Sequence, residues 1–229
     1  MVTKRKSGFG KMLKASTVMA LFILLGALLW KEVVTDGFAR KIPMSEQWNL
    51  LVVNEWNEMP EGFEATLTLT ELSNGQKVDS RVYPYLQEMF DAMRAENIYP
   101  VVREGYRTKE DQQAILDERI QRYMEEGFSQ RRAEKAAREY VALPGMSEHH
   151  LGSAVDINAD TSMSTNQDVY AWLAKNAYKY GFILRFPEGK EEITGISYEP
   201  WHYRYVGEET AKEIYEKGIC LEEYSRLHE

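Results

Sequence analysis

Residues Ala15 to Trp30 carry no charge, and Lys14 and Lys31 bracket them. Whatever the chain folds into, this run must be kept from water. As a helix, 16 residues reach about 24 Å, a little short of a bilayer core of about 30 Å. The flanking lysines can snorkel across the gap. The run ends Leu28-Leu29-Trp30-Lys31, without the small residues of a signal-peptide cleavage site, and no cysteine follows to carry a lipid. The expectation is an uncleaved signal anchor, ahead of a cleaved signal peptide or a helix buried in the domain. Lys4, Arg5, Lys6, Lys11 and Lys14 precede the run, and the first acid is Glu32. Positive charge stays inside. The expected order is a cytoplasmic tail (1–14), a transmembrane anchor (15–30), a linker (31–47) and an external domain (48–226).

The formal charge of the chain is −8, and with those five cations set aside the remainder is at −13. An acidic body lacks the basic footprint that nucleic-acid binding needs. Cys220 is the single cysteine. It can make neither an intrachain disulfide nor a multi-cysteine zinc site, and reads as a small buried hydrophobe.

Apolar periodicity places the elements of the domain. Leu86, Met89, Phe90 and Met93 recur at helical spacing, predicting a helix over 82–96. Tyr99 to Arg107 reads as a strand running into a turn. Thr108 and Asp111 form a capping-box pattern for a helix ending near Gly127. Ser129 is the expected cap of the next helix, with Ala133, Ala136, Ala137, Tyr140 and Val141 on one side and Pro144-Gly145 ending it. Further strands are expected at Ala154–Asn158, Phe182–Phe186 and Tyr198–Tyr205. Helices are expected around Val169–Ala177, closed by Gly181, and at Glu208–Lys217, closed by Gly218. Strands and helices without regular βαβ alternation predict an α+β fold, a small and mostly antiparallel sheet flanked by helices.

Three clusters carry chemistry: Glu104–Thr108, Ser147–Asp156 and Glu199–Arg204. The chain has four histidines, and His149, His150 and His202 lie in these clusters. A catalytic zinc takes three ligands from histidines and carboxylates and keeps one position open. His149, Asp156 and His202 could supply that set, with Glu199 as a base beside it. On spacing alone, His149-His150 could equally be a surface pair and Trp201-His202 a packed core element. On a strand, Asp156 faces one way and Val155 and Ile157 the other. Glu199 and His202, three apart, share a site only if the chain bends at Pro200, which cannot donate to a ladder. Gly152 suggests close backbone approach near the metal. Arg185 and Arg204 read either as part of an anionic-substrate site or as structural ion pairs.

The pattern Ser147-x-His149-x-x-Gly152-x-Ala154-x-Asp156, together with Glu199-x-Trp201-His202, resembles the LAS zinc peptidases, specifically the VanY-like D-alanyl-D-alanine carboxypeptidases. Gly105-Tyr106-Arg107-Thr108, with Gln112 five residues after the arginine, is similar to a third motif of that group. The resemblance covers about residues 50 to 207 and keeps the motif order. It departs at Glu104 and Thr108, where serine is more usual. It implies one zinc per chain held by His149, Asp156 and His202, and Glu199 as general base and later acid. It implies that Arg107 holds the substrate carboxylate or polarises the scissile carbonyl, and that Gln112 and Ser147 bind substrate polar groups. His150 has no ligand role in this register, and Trp201 is expected to pack beneath the ligands. The implied activity is removal of the C-terminal D-alanine from peptidoglycan stem peptides or lipid-linked precursors, outside a bacterial cell membrane. An L,D-carboxypeptidase acting on tetrapeptide stems and a non-catalytic wall-binding module are the alternatives. A dipeptidase suits the anchor less well.

Overall fold

The computed structural model describes residues 47–228. The expected tail, the anchor and all of the linker except Gln47 lie outside the described residues. Among the described residues no helix is long and apolar enough to cross a membrane.

Alternation along the central strands sorts the side chains. Four strands, β3 (Pro100–Glu104), β4 (Ala154–Ala159), β5 (Phe182–Leu184) and β6 (His202–Tyr205), form a sheet in the order β3-β4-β6-β5, every pair antiparallel. Val155, Ile157 and Ala159 on β4, with Tyr203 and Tyr205 on β6, turn to the main core. There they meet Leu86, Met89, Phe90 and Met93 of helix α1 (Tyr83–Ala95) and Val169, Trp172 and Leu173 of helix α4 (Asn166–Asn176). The residues between them, Ala154, Asp156, His202 and Arg204, belong to the other face. The register pairs Asp156 with His202 on one side and with Glu104 on the other.

Helix α2 (Lys109–Glu125) opens on the expected capping box: the Asp111 backbone N–H donates to Thr108 Oγ1, and the Thr108 N–H returns to Asp111 Oδ2, each at 3.1 Å. It forms a hairpin with α3 (Gln130–Arg138), and Leu116, Ala137 and Val141 are buried between them. Ser129 precedes α3, but its side chain makes no capping hydrogen bond. Tyr140 is exposed rather than part of the packed side. The strand expected over Tyr198–Tyr205 is shortened to β6, because the chain turns through Glu199–Trp201 before entering the sheet. A short helix α5 (Glu191–Thr194), the predicted α6 (Glu208–Lys217) and a last helix α7 (Leu221–Leu227) complete the chain. A separate hairpin, β1 (Leu69–Glu71) with β2 (Lys77–Asp79), packs beside the motif loops.

Arg185 and Arg204 are structural. The Arg185 guanidinium donates to Glu148 Oε1 at 2.9 Å and to both oxygens of Glu222 at 2.9 and 2.6 Å. Arg204 pairs with Glu148 Oε1 at 2.9 Å and donates to the carbonyls of Asn49 and Leu51. Two arginines and two glutamates, all buried, balance one another. Burial alone would raise the Glu148 pKa, but Arg185 and Arg204 overcome it and hold the carboxyl well below its usual range. A folded pKa below the unfolded one contributes stability that is present above about pH 4.3 and shrinks as the pH falls. Arg185→Met should therefore cost about 3–5 kcal/mol, the penalty for leaving buried charge uncompensated. The check is the urea midpoint at neutral pH with unchanged slope. A loss below about 1 kcal/mol, the range of exposed pairs, would contradict the buried network.

Candidate metal centre and active site

The turn Glu148–Leu151 delivers His149 beside Asp156. His149 Nδ1 lies 2.7 Å from the carbonyl of Gly105. A carbonyl only accepts, so Nδ1 carries the proton and Nε2 presents its lone pair, 3.4 Å from Asp156 Oδ1. Gly105 is required where it stands, since a Cβ there would sit 2.2 Å from the carbonyl oxygen of Lys77. Gly152, with φ of 64°, approaches the β1–β2 hairpin rather than the metal site: its carbonyl accepts from the Asp79 N–H at 2.8 Å.

His202 is placed the other way round. Its Nδ1 faces Asp156 Oδ1 at 3.2 Å and Glu199 Oε2 at 3.6 Å, and its Nε2 faces Glu148 Oε2 at 3.9 Å. The two imidazoles stand edge to face with centroids 4.9 Å apart. One ligand atom from each of His149, Asp156 and His202 lies within 4.8 Å of the others. Asp156 Oδ1, buried between the rings, has no hydrogen-bond partner. Two nitrogens and a carboxylate converging on such an oxygen fit a zinc ion in chemistry and number. His150 does not compete. Its Nδ1 donates to the Arg107 carbonyl at 2.8 Å and its Nε2 accepts from the Gly145 N–H at 3.1 Å, so both nitrogens are spent.

The electrostatics agree with a ligand set. Burial and then the charge of Arg107 lower His149 to about 4, which keeps it neutral. Burial disfavours ionised Asp156, but its surroundings, the charged His202 imidazolium among them, outweigh that and hold its pKa low. His202 rises to about 9: burial opposes its charge, and the facing carboxylates of Asp156 and Glu148 more than offset that. Glu199 is buried, and burial, opposed by His202, raises its carboxyl to about 7. Glu199 reaches the same side as His202 through the turn at Pro200, where the His202 N–H donates to the Glu199 carbonyl at 3.2 Å.

These groups line a cleft of about 490 Å³. Arg107 is braced in it on three sides, donating to Glu104 at 3.2 Å and to Gln112 Oε1 and Asp156 Oδ2 at 3.3 Å. The Gln112 amide also donates to the Ala142 carbonyl at 2.8 Å, so it holds Arg107 as well as facing the cleft. Ser147 is buried and lines the same space. Trp201 is half-buried and forms cleft wall rather than a floor beneath the ligands. Glu104, Glu148 and Phe186, whose ring centroid lies 4.7 Å from that of His202, are neighbours of the site to which the sequence assigns no role. The Glu148 position, one residue before a proposed ligand, was the available signal. Cys220 is buried, and burial pushes its thiol up to about 12, so it is inert.

Residues 75–208 match the family model described as VanY, D-alanyl-D-alanine carboxypeptidase. The chain belongs to this family. It is 52% identical over 179 residues to a D-alanyl-D-alanine carboxypeptidase of Enterococcus faecalis, covering 78% of this chain and 66% of that protein. Among solved structures it is similar to the vancomycin-resistance D,D-pentapeptidase VanY of a VanB-type cassette, solved as a mutant with Zn(II), at 53% identity and a TM-score of 0.76. That match covers 78% of this chain and 99% of the other. VanYB in complex with D-alanine-D-alanine matches at 51% identity and a TM-score of 0.77, covering 80% and 100%.

Because His202 is held up to about 9, its Nδ1 carries a proton at pH 7 that ligation must displace. Zinc loading at pH 7 should release about one proton per ion, seen as a calorimetric enthalpy that varies with the buffer's ionisation enthalpy. No buffer dependence would contradict this protonation state. His202→Ala should weaken zinc binding by more than about a hundredfold, beyond the effect of losing a supporting contact. Zinc affinity near wild type would remove His202 from the ligand set.

Proposed function

We infer that the described domain is a zinc carboxypeptidase that removes the C-terminal D-alanine from peptidoglycan stem peptides or their precursors. The observation that carries this reading is the placement of Glu199 Oε2 3.6 Å from His202 Nδ1, in one cleft with the His149–Asp156–His202 set and Arg107. Membership of the VanY family and the likeness to a structure holding D-alanine-D-alanine support the substrate. When bound, zinc supplies a Lewis acid that polarises a carbonyl and lets water lose a proton near neutral pH.

The protein's own groups do the rest. Glu199 accepts the water proton on its carboxylate and returns it to the departing amine of D-alanine. Burial suits it to both directions, since a carboxyl near pH 7 can hold or yield a proton. Arg107, held by Glu104, Gln112 and Asp156, presents a fixed guanidinium that either receives the substrate's terminal carboxylate or polarises the scissile carbonyl. Ser147 and the Gln112 amide supply further polar contacts along the cleft. Glu148 faces Nε2 of His202 and orients that ring.

The anchor (15–30) would hold the domain (48–226) on the outer face of a bacterial membrane, near lipid-linked precursors. The five cations ahead of the apolar run support that orientation. Protease added to intact protoplasts should remove the domain; a fully protected domain would refute it.

The test of the activity is incubation of the zinc-loaded domain with stem pentapeptide and tetrapeptide, with products identified by mass spectrometry. Release of D-alanine from the pentapeptide is expected. Cleavage of the tetrapeptide alone would make the enzyme an L,D-carboxypeptidase. Glu199→Gln should lose at least about 10²-fold in kcat while keeping its zinc. A rate near wild type would discard Glu199 as the base.

A further inference from the structure

Once the zinc set, Glu148, Glu199 and Arg107 are set aside, the charged side chains lining the cleft are Arg119, Arg138 and Glu55. The two arginines come from the α2–α3 hairpin, the wall that Gln112 joins to Arg107. Elsewhere on α2, charges are satisfied locally: Arg122 pairs with Glu118 at 2.8 Å, and Gln113 donates to Asp117 at 2.8 Å. Among the described residues, neither the Arg119 nor the Arg138 side chain has a hydrogen-bond or ion-pair partner, and the Arg119 charge acts on Glu199 only across the cleft. They stand in a chain of net charge −8, where acids to pair with are plentiful.

Position gives these arginines meaning. Gln112, Ile115 and Arg119 fall at i, i+3 and i+7, one face of α2, and all three line the cleft. From Gln112 to Arg119 is about 10 Å along a helix rising about 1.5 Å per residue. Gln112 touches Arg107, which in the carboxypeptidase reading engages the substrate's end. An extended peptide covers about 3.3–3.6 Å per residue, so a peptide laid from Arg107 along α2 would bring its third residue upstream of the C-terminus to the arginines. Ile115 and the exposed Tyr140 line the same cleft and offer apolar surface to the residues between. Guanidinium pairs suit carboxylates, which they can hold with several charge-assisted hydrogen bonds.

We propose that Arg119 and Arg138 form a second anion site, which reads a free carboxylate about three residues upstream of the substrate's C-terminus. This rests on the carboxypeptidase reading above. It makes the enzyme selective for stem peptides whose γ-linked D-glutamate keeps its α-carboxylate, over stems in which that group is amidated.

The experiment compares two synthetic pentapeptides, L-Ala-γ-D-Glu-L-Lys-D-Ala-D-Ala and its α-carboxamide, with zinc-loaded protein. The wild type should prefer the acid by about tenfold in kcat/KM, the size of one charge-assisted hydrogen bond. In the double variant Arg119→Gln/Arg138→Gln that ratio should fall to about one. In Arg138→Glu, a change at an exposed position, it should fall below one. The affinity ratio measured with Glu199→Gln protein should follow the same order, which reads the site without turnover. A wild-type ratio near one, or a preference that survives in the double variant, overturns the proposal. If neither peptide is cleaved while the affinity ratio holds, the carboxypeptidase reading falls and the anion site stands.

Discussion

The buried carboxylate of Glu148 is the contact on which the rest of the site depends. One oxygen takes the guanidinium groups of Arg185 and Arg204, and the other faces His202. Through Arg185 it is tied to Glu222 on the last helix, and through Arg204 to the backbone of residues 49 and 51. Segments far apart in the chain thus converge behind the His149–Asp156–His202 set. An ionic core of this kind contributes little net stability against a well-packed apolar one, yet breaking one partner is costly. What it supplies here is direction: it fixes which nitrogen of His202 is turned to the cleft.

That direction matters because the two histidines are used oppositely. The Gly105 carbonyl claims Nδ1 of His149 and leaves Nε2 for a metal, while Glu148 stands against Nε2 of His202 and leaves Nδ1. The antiparallel pairing of Asp156 with His202 sets the carboxylate between the rings. Ligands from a turn, a strand and the start of a second strand converge because the sheet register is fixed by the apolar residues on its other face. The same face that forms the core thus positions the chemistry.

Much of this could be read from the chain. The helix under Leu86, Met89, Phe90 and Met93 and the capping box at Thr108 follow from local spacing, and both are present. The bend at Pro200 follows from its missing donor, though it consumed more of the expected strand than spacing suggested. The ligand set rested on resemblance, since His149 and His150 are indistinguishable until Gly145 and Arg107 are seen to occupy both nitrogens of His150. The β1–β2 hairpin was missed although Asn74-Gly75 is a turn signal, because its strands are only three residues each. The helix Leu221–Leu227 was missed because a cysteine stands at its cap. The Glu148 network was illegible for a different reason. Residues 148, 185, 204 and 222 are spread through the chain, and spacing leaves Arg185 and Arg204 open between a substrate site and ion pairs without naming Glu148 or Glu222 as a partner.

The central claim is that one zinc is held through opposite nitrogens of two histidines. The most direct measurement is a crystal structure of the zinc-loaded domain with anomalous data at the zinc edge. The account predicts a single peak bonded to His149 Nε2, an Asp156 carboxylate oxygen and His202 Nδ1, at about 2.0–2.2 Å, with Glu148 remaining behind Nε2 of His202. A peak on His150, or on His202 Nε2 with Glu148 displaced, would contradict it.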